Sequence, residues 1–221
     1  MEIHNCEQGT EEWFKVRAGM PTASEFSTVM ASGRGGGDSK TRKTYMLKLA
    51  GEILTGEPME GFTNHHMERG KAMEAEARNF YSFMKDADPQ PVGFIVNGNK
   101  GCSPDSLIGS DGGCEIKTKL PHLQLDVLLR DAIPSDHIPQ VQGCMWVAER
   151  EWWDFVSYWP NLPLFVKRAY RDEAYIKQVA TAVDAFNEEL AAVVEKIRFY
   201  GSTPANDSAD DGARLAQLLR A

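Results

Sequence analysis

The sequence predicts an α/β fold in which a central mixed β-sheet is flanked by helices. Three observations lead to this prediction. Helical spacing of apolar residues dominates the first 85 residues, short β-rich segments follow between residues 92 and 119, and a further strand pair precedes a long amphipathic helix at 172–198. Helices on both sides of a strand-rich centre are typical of a sheet that is covered on both faces.

The N-terminal half is predicted to be helical because its helices have recognisable starts. Thr10 followed by Glu11 and Glu12 supplies a capping hydroxyl and two acidic residues, which favour the positive end of a helix. Thr22 or Ser24 opens the next, shorter helix. The predicted helices cover residues 9–18, 22–30, 41–55 and 64–85, with a flexible glycine-rich loop at 32–39.

The strands are predicted from short segments that are rich in β-forming residues and bounded by glycine, asparagine or aspartate. They lie at 92–96, 106–110, 114–119, 152–159 and 164–170, and two helices are predicted between them at 122–130 and 135–149. We predict a single domain over residues 1–200. Residues 201–221 are predicted to form a flexible linker that can end in a short helix.

Composition excludes several classes of protein. The chain has 221 residues, a net charge of −8 and 42% hydrophobic residues, which excludes disorder throughout. No apolar run approaches the roughly 20 residues of a membrane helix and the N-terminus lacks a secretory signal, so we expect a cytoplasmic protein without membrane contact. Four scattered cysteines without a CxxC pair argue against a zinc ribbon or an iron–sulfur cluster. The acidic balance does not exclude DNA, because residues 34–48 carry five basic residues against one acidic residue.

The clearest chemical pattern is formed by Asp105, Glu115 and Lys117. Glu115 and Lys117 are two positions apart, so on a strand both face the same side of the sheet. A two-residue Asp-Gly turn would place Asp105 on the other side. A three-residue turn over 110–112, with its glycine in the left-handed conformation, pairs residue 107 with 115 and residue 105 with 117 and brings all three side chains together. We predict the three-residue turn.

Two carboxylates and a lysine on one sheet face suit the hydrolysis of a phosphodiester with the help of magnesium. Mg²⁺ prefers oxygen ligands, keeps several waters and contacts the substrate phosphate. A second ion about 3.5–4 Å away would stabilise the leaving oxygen. Lys117 would orient the attacking water or take its proton, with its pKa lowered by the metal charge. The glycine-rich loop lacks the spacing of a nucleotide-binding P-loop, but with Lys40, Arg42 and Lys43 it could follow a DNA backbone.

The Pro-Asp and Glu-Ile-Lys elements resemble the active-site motif of the PD-(D/E)XK nuclease superfamily, which implies a restriction-endonuclease-like core. The wider sequence resembles the lambda-type phage alkaline exonucleases, a family of viral recombinase exonucleases. The resemblance spans about residues 7–199, in the order of the family, and does not extend to the tail beyond residue 200. The blocks that carry it are Glu12–Gly19, Thr22–Glu25, Arg69–Arg78, Cys102–Lys117, and Gln140–Gln142 with Met145–Val147.

The resemblance implies a metal site with defined ligands. Asp105 and Glu115 would bind Mg²⁺, the backbone carbonyl of Ile116 would complete the ligand set, and Lys117 would position or activate the water. Glu74 matches a helix-borne acid that family members add to the site. Independently of the resemblance, it lies on the border of an apolar helical stripe, where an acidic residue is unexpected without a function. The family implies two ions when substrate is bound, with Mn²⁺ as a substitute for Mg²⁺.

The resemblance also implies further site residues. Gln140 matches an active-site glutamine in the N-terminal part of a helix, although the choice between Gln140 and Gln142 stays open. Arg17, Ser24 and Ser103 match residues that hold the 5′-terminal phosphate of DNA in the family. A guanidinium fork and two hydroxyls suit a doubly charged phosphate.

The function implied by the resemblance is a magnesium-dependent 5′-to-3′ exonuclease. It would degrade one strand of linear double-stranded DNA from a 5′-phosphorylated end to mononucleotides and leave a 3′ overhang for recombination by single-strand annealing. The family further implies a ring-shaped homotrimer, a single-strand annealing protein as partner, and a phage or prophage origin in a bacterial host.

Two alternatives remain at this stage. A PD-(D/E)XK endonuclease of the restriction or junction-resolving type would use the same metal site without a pocket for the terminal phosphate. A catalytically idle DNA-binding or annealing-partner module would tolerate loss of a site residue. The presence of Asp105, Glu115 and Lys117 together argues against this second alternative.

Overall fold

The computed structural model of the chain describes residues 1–33, 39–59 and 65–202. Short 3₁₀-helices lie at Ala23–Glu25 and Ser135–His137. The α-helices of this part of the chain are α1 (Glu11–Arg17), α2 (Phe26–Val29), α3 (Lys40–Thr55), α4 (His65–Lys85), α5 (Pro121–Arg130), α6 (Ile138–Ala148) and α7 (Glu173–Arg198). The strands are β1 (Glu2–His4), β2 (Pro89–Gln90), β3 (Phe94–Asn97), β4 (Lys100–Cys102), β5 (Ser106–Ile108), β6 (Gly112–Thr118), β7 (Trp152–Tyr158) and β8 (Phe165–Tyr170).

The strands form a five-stranded mixed sheet and a smaller sheet. The larger sheet has the order β2-β5-β6-β7-β8, in which only the β6–β7 pair is parallel. The smaller sheet is antiparallel and has the order β1-β3-β4. The predicted fold class is therefore confirmed, but the strand predicted at 92–96 belongs to the smaller sheet and not to the central one.

Helices cover both faces of the larger sheet, because alternate residues of its strands enter two different cores. Phe155 of β7 joins the larger core, which includes α6 and α7 residues such as Val141 and Val183. The next residue of β7, Val156, joins the second core, with Tyr81 of α4. This alternation places Glu115 on the face that α6 covers, since its neighbours Cys114 and Ile116 lie in the core beneath α4.

The helix starts follow the capping pattern of the sequence. The Thr10 hydroxyl accepts a hydrogen bond from the Trp13 amide, as predicted for the first helix. Thr22 precedes the 3₁₀-helix and Ser24 lies inside it, so of the two predicted start residues Thr22 occupies the cap position. Asp172 caps α7 by accepting from the Tyr175 amide. The local sequence thus determines where these helices begin.

Some predictions fall outside the described part of the chain. These are the predicted linker and short helix, apart from residues 201 and 202, and the centre of the glycine-rich loop. The division into one domain and a tail stays a prediction. Within the described ranges, no helix has both the length and the apolar character that crossing a bilayer requires.

Candidate active site

The β5–β6 hairpin brings Asp105 beside Glu115. Ser106 pairs with Cys114, so Asp105, which directly precedes β5, lies across from Glu115. The backbone amide of Ile116 donates a hydrogen bond to Oδ2 of Asp105 at 2.5 Å. The hairpin therefore fixes the carboxyl group of Asp105 against the strand that carries Glu115 and Lys117.

The predicted turn has the right length but the wrong position. Residue 108 pairs with 112, so the three-residue loop covers 109–111 instead of 110–112. Gly109 takes the left-handed conformation, with φ of 56°, while Gly112 lies in β6. A Cβ on Gly112 would lie 2.1 Å from the ring of Trp152, so packing against β7 keeps this glycine in the strand. Because the shift preserves the alternation, Asp105, Glu115 and Lys117 still share one face.

Glu115 is the buried centre of the site. Its Oε1 atom lies 2.5 Å from the ammonium nitrogen of Lys117 and accepts a hydrogen bond from Nε2 of Gln140 at 2.7 Å. Its Oε2 atom is buried and has no hydrogen-bond partner among the described residues. A buried carboxylate oxygen without a partner costs free energy unless a ligand satisfies it.

Lys117 is held as an ammonium by the carboxylates around it. Burial alone would lower the pKa of Lys117, but the charges of Glu115 and Asp105 outweigh this effect and raise the pKa above its ordinary value. The sequence prediction, in which a bound metal ion lowers this pKa, concerns the metal-loaded site and stays a prediction. In the protein itself the carboxylates set the direction, so Lys117 is positively charged at neutral pH.

Burial also raises the pKa of Asp105 well above its ordinary value, and the charges of Glu115 and Glu74 add to this rise. Burial likewise raises the pKa of Glu74, although Arg78 offsets part of the rise. Three carboxyl groups that repel one another in a poorly hydrated space favour the arrival of a cation.

Arg78 links helix α4 to the hairpin and was not assigned a role from the sequence. Its guanidinium donates to Oε1 of Glu74 at 2.5 Å, to Oγ of Ser106 at 3.0 Å and to the backbone carbonyl of Asp105 at 3.2 Å. The spacing of four residues between Glu74 and Arg78 on a helix was the available sequence signal. Arg78 thereby fixes Glu74 and Asp105 relative to each other.

The oxygen donors at this site suit a hard divalent cation. The unpartnered Oε2 of Glu115 and the carboxyl group of Asp105 are ligands of the type that Mg²⁺ prefers. Within the described residues, no three histidine, cysteine, aspartate or glutamate side chains form a ready-made metal cage. Glu74, the third predicted carboxylate ligand, is engaged by Arg78. Mg²⁺ usually takes only one or two protein carboxylates and keeps its waters, so this sparse set is compatible with it.

Arg17 and Ser103 meet just before the start of β5. Nη1 of Arg17 donates to Oγ of Ser103 at 3.3 Å, and Nε1 of Trp13 donates to the same oxygen at 3.1 Å. The guanidinium carbon of Arg17 lies 3.9 Å from the centre of the Trp13 ring, a cation–π contact. Burial lowers the pKa of Arg17, and the guanidinium stays charged. The guanidinium of Arg17 is thus held at the hydroxyl of Ser103, which precedes Asp105 by two residues.

Ser24 has no described contact with Arg17 or Ser103, and it is connected to this part of the fold through Thr22. Its hydroxyl is exposed and lies 3.2 Å from the hydroxyl of Thr22. The backbone of Pro21 and Thr22 is attached to β4 by the hydrogen bond from the Gly101 amide to the Pro21 carbonyl and by a bridge between Thr22 and Gly101. Thr22 and Arg17 line the same cavity of about 660 Å³ between α1 and α3.

The two candidate glutamines have different partners. Gln140 lies in the first turn of α6 and donates to Glu115, as described above. Gln142 is buried on another side of the helix, where Nε2 donates to the Tyr170 carbonyl and Oε1 accepts from the Asp172 amide. Gln140 is therefore the glutamine that contacts the carboxylate site, and Gln142 ties α6 to the start of α7.

The basic segment near the glycine-rich loop is only partly available to a ligand. Arg42 forms a bidentate ion pair with Glu189 of α7, at 2.7 and 2.8 Å. Lys40 and Lys48 line the same cavity as Arg17, and Lys43 is exposed. Of the three basic residues that the sequence associates with a DNA backbone or a solvated loop, Arg42 is therefore engaged by α7.

Similarity to known proteins extends over most of the chain. Residues 12–151 match the family described as the YqaJ-like viral recombinase domain. An alkaline exonuclease from Laribacter hongkongensis is 34% identical, with a TM-score of 0.79 over 87% of this chain and 98% of that chain, and the same values hold for its complex with dAMP. A phage-related exonuclease from Haemophilus somnus 129PT, at 13% identity, shares the fold with a TM-score of 0.61 over 80% of this chain and 96% of that chain. No curated protein sequence matches significantly.

Proposed function

This chain belongs to the YqaJ-like viral recombinase family, and from that premise we propose that it is a magnesium-dependent 5′-to-3′ exonuclease. It removes 5′-mononucleotides from one strand of linear double-stranded DNA, begins at a 5′-phosphorylated end, and leaves a 3′ single strand for annealing. The observation that carries the proposal is the unpartnered Oε2 of Glu115 beside Asp105, next to the Arg17–Ser103 pair. The first feature suits a cation and the second suits a terminal phosphate.

The metal site would be built by Asp105 and Glu115, with Glu74 and the carbonyl of Ile116 as further ligands. When bound, Mg²⁺, or Mn²⁺ in its place, would stabilise negative charge on the phosphate and lower the pKa of a water, and two ions would be present with substrate. Arg78 holds Glu74 and the Asp105 backbone in place for this set. Gln140 engages Oε1 of Glu115, so that Oε2 remains the free oxygen.

Lys117 lies on β6, on the same face as Glu115, and would contact the substrate there. As an ammonium next to Glu115, it can donate a hydrogen bond to a phosphate oxygen and hold the attacking water in line with the leaving 3′ oxygen. The raised pKa in the metal-free site favours a contribution through the positive charge and the hydrogen bond. If a bound metal ion lowers this pKa, Lys117 would instead take a proton from the attacking water.

The neighbourhood of the two sites along the chain supports the proposed polarity. Only Pro104 separates Ser103 from Asp105, so a terminal phosphate bound by Arg17, Ser103 and Ser24 is held beside the carboxylates. The bond within reach of the metal ligands is then the first internucleotide bond. The endonuclease alternative gives this phosphate pocket no role. The relative bound to dAMP, a deoxynucleoside monophosphate, supports the exonuclease reading.

The assembly and partners are proposed from the family. A homotrimeric ring around the DNA would keep the enzyme on its substrate, and an acidic outer surface with a basic channel would reconcile the net charge of −8 with DNA binding. A single-strand annealing protein would load onto the 3′ strand. We place the protein in the cytoplasm of a bacterium that carries the phage or prophage.

The test uses a linear duplex labelled separately at each 5′ and 3′ end, with and without Mg²⁺ and a 5′-phosphate. We expect rapid release of 5′-labelled mononucleotide that requires Mg²⁺ and is faster with the phosphate, and loss of this release in Lys117→Ala. Labelled internal fragments, or cutting of closed circular DNA, would instead establish an endonuclease. Absence of cleavage with both Mg²⁺ and Mn²⁺ would overturn the nuclease proposal.

A further inference from the structure

A second lysine continues the row of charged residues along β6. Residues 115, 117 and 119 are every second residue along the strand direction. The backbone amide of Lys119 donates a hydrogen bond to the Tyr158 carbonyl at 3.2 Å. This hydrogen bond extends the parallel β6–β7 ladder one residue beyond the Thr118–Tyr158 pair. Lys119 therefore follows Glu115 and Lys117 on the same face. No role was assigned to it from the sequence.

The ammonium of Lys119 has no carboxylate partner among the described residues. Its Nζ lies 2.8 Å from Nε2 of His137, and no described acidic side chain forms an ion pair with it. Lys117, by contrast, is neutralised by Glu115 at 2.5 Å. Burial lowers the pKa of Lys119, the charge of Asp136 raises it, and the charge of Lys117 lowers it. Asp136 lies 3.7 Å from Nε2 of His137 and forms no ion pair with Lys119 itself, so this half-buried ammonium has no direct carboxylate partner among the described residues.

His137 acts as a neutral support for this ammonium. Burial lowers the pKa of His137 to about 4, and the charges of Lys119 and Lys117 contribute to the shift. At neutral pH the imidazole accepts a hydrogen bond from the ammonium without cancelling its charge. The ring of His137 packs against Phe155 of β7, with the ring centres 5.1 Å apart. This contact holds the imidazole in place.

Across the strands of the sheet, the Arg17–Ser103 pair lies toward β5 and the Lys119–His137 pair toward β7, with Glu115 on β6 between them. In the sheet order, β6 lies between β5 and β7. Ser103 precedes β5 by three residues, whereas His137 packs on Phe155 of β7. A DNA strand whose 5′-phosphate is bound at Arg17 and whose first internucleotide bond lies over Asp105 and Glu115 therefore continues toward Lys119.

We propose that Lys119, supported by His137, binds the second phosphodiester of the degraded strand, which is the one on the 3′ side of the bond that is hydrolysed. The inference rests on the proposed 5′-to-3′ exonuclease function. A charged amine that meets a phosphodiester oxygen forms a charge-assisted hydrogen bond. This contact holds the strand on the far side of the scissile bond, while Arg17 and Ser103 hold its end. His137 is a positioning residue in this arrangement.

The test measures how the affinity for DNA changes when one phosphate at a time is made uncharged. Duplexes with a 5′-phosphate carry one uncharged methylphosphonate at the first, second or third internucleotide position, and affinity is measured in Ca²⁺. For the wild-type protein we expect roughly tenfold weaker binding when the second position is neutral. Lys119→Ala should bind the unmodified duplex about tenfold more weakly and show no further loss at that position. Lys119→Arg should restore both the affinity and the sensitivity.

A salt titration and a matched lysine provide controls. The slope of log affinity against log salt should fall by about one in Lys119→Ala, as expected for one lost phosphate contact. Lys177→Ala changes an exposed lysine of α7. This variant should keep the wild-type salt slope and the wild-type loss of affinity at each methylphosphonate position. His137→Leu should raise KM with little change in kcat, and His137→Gln, which keeps an acceptor, should restore KM. Thermal unfolding of each variant checks that it is folded.

The outcomes separate this inference from the function on which it rests. If the wild-type protein releases 5′-mononucleotides but Lys119→Ala keeps the wild-type slope and its sensitivity at the second position, the assignment of Lys119 is wrong. If sensitivity in the wild-type protein lies only at the first or third position, the assignment is also wrong. If the wild-type protein releases no 5′-mononucleotide in Mg²⁺, the exonuclease proposal fails and the Lys119 assignment fails with it.

Discussion

The ammonium nitrogen of Lys117 lies 2.5 Å from Oε1 of Glu115, while Oε2 of the same carboxylate is buried and has no hydrogen-bond partner in the described part of the chain. One oxygen is therefore balanced within the protein and the other is left for a ligand. A carboxylate divided in this way can bind a cation without first giving up its internal ion pair. The stability of the protein should consequently depend on Lys117 and on divalent cations together.

Replacing Lys117 by methionine should destabilise the metal-free protein, because it leaves the 4% exposed side chain of Glu115 without its counter-charge. Loss of one partner of a buried pair costs about 3 kcal/mol at the lower end of its usual range, and the 30% exposure of Lys117 favours that end. Ca²⁺ should recover part of the loss. Urea unfolding in chelator and in Ca²⁺ measures both effects, and wild-type stability of the variant in chelator would contradict the prediction.

We expect substitution of Gln140 to lower activity and substitution of Gln142 to lower stability. Gln140→Ala removes the hydrogen bond to Glu115 and should lower kcat by about tenfold to a hundredfold with little change in unfolding free energy. Gln142→Ala leaves the Tyr170 carbonyl and the Asp172 amide without their partner and should cost about 1–3 kcal/mol with little change in kcat. Each variant is the control for the other. The reverse pattern would show that Gln142 serves the site.

Arg78 should tune the affinity for the metal ion, since it holds Glu74 and the Asp105 backbone. We expect Arg78→Ala to weaken Ca²⁺ binding about tenfold, which is typical of residues that orient metal ligands, and Arg78→Lys to recover part of it. Calorimetry with Ca²⁺ measures the effect without turnover. Arg130→Ala is a suitable control, because Arg130 forms a similar i,i+4 pair with Asp126 on the exposed surface of α5. Unchanged Ca²⁺ affinity in Arg78→Ala would count against this role.

The parts of the site that were predictable depend on local pattern. The side chains of β6 alternate between the two faces of the sheet. This alternation and a hairpin loop of three residues suffice to place Asp105, Glu115 and Lys117 on one face. The position of the turn was not predictable, because several glycines compete for the left-handed position. Contacts from β7 decide between them, since Trp152 and Trp153 occupy the space that a Cβ on Gly112 or Gly113 would need.

Contacts between residues far apart in the sequence were equally unpredictable from local sequence patterns. The Lys119–His137 hydrogen bond joins a strand end to a 3₁₀-helix 18 residues away, and neither residue has a distinctive local motif. Arg42 illustrates the same limit, because its partner Glu189 lies 147 residues further along the chain. The family resemblance supplied Arg17 and Ser103, and the fold then brought them together.

The depressed pKa of His137 predicts a pH dependence of stability with a defined sign. The pKa is about 4 in the folded protein and 6.5 ordinarily, so between these values the unfolded chain binds more protons than the folded one. The contribution of neutral His137 to stability is therefore complete above pH 6.5 and is lost as the pH falls toward 4. The charged groups that set this shift are Lys119, Lys117 and Asp136.

The measurement compares the wild-type protein with His137→Gln, in chelator, by urea unfolding at pH 6.5 and pH 5. The wild-type protein should lose about 1.5 kcal/mol more than the variant over this interval. The raised pKa values of Asp105 and Glu74 act in the opposite direction, because these groups hold protons more tightly in the folded state, but both proteins contain them. The difference between the two proteins thus isolates His137. Equal losses would mean that the imidazole takes up its proton as readily in the folded protein as in the unfolded chain, and that its support of Lys119 as a neutral acceptor is wrong.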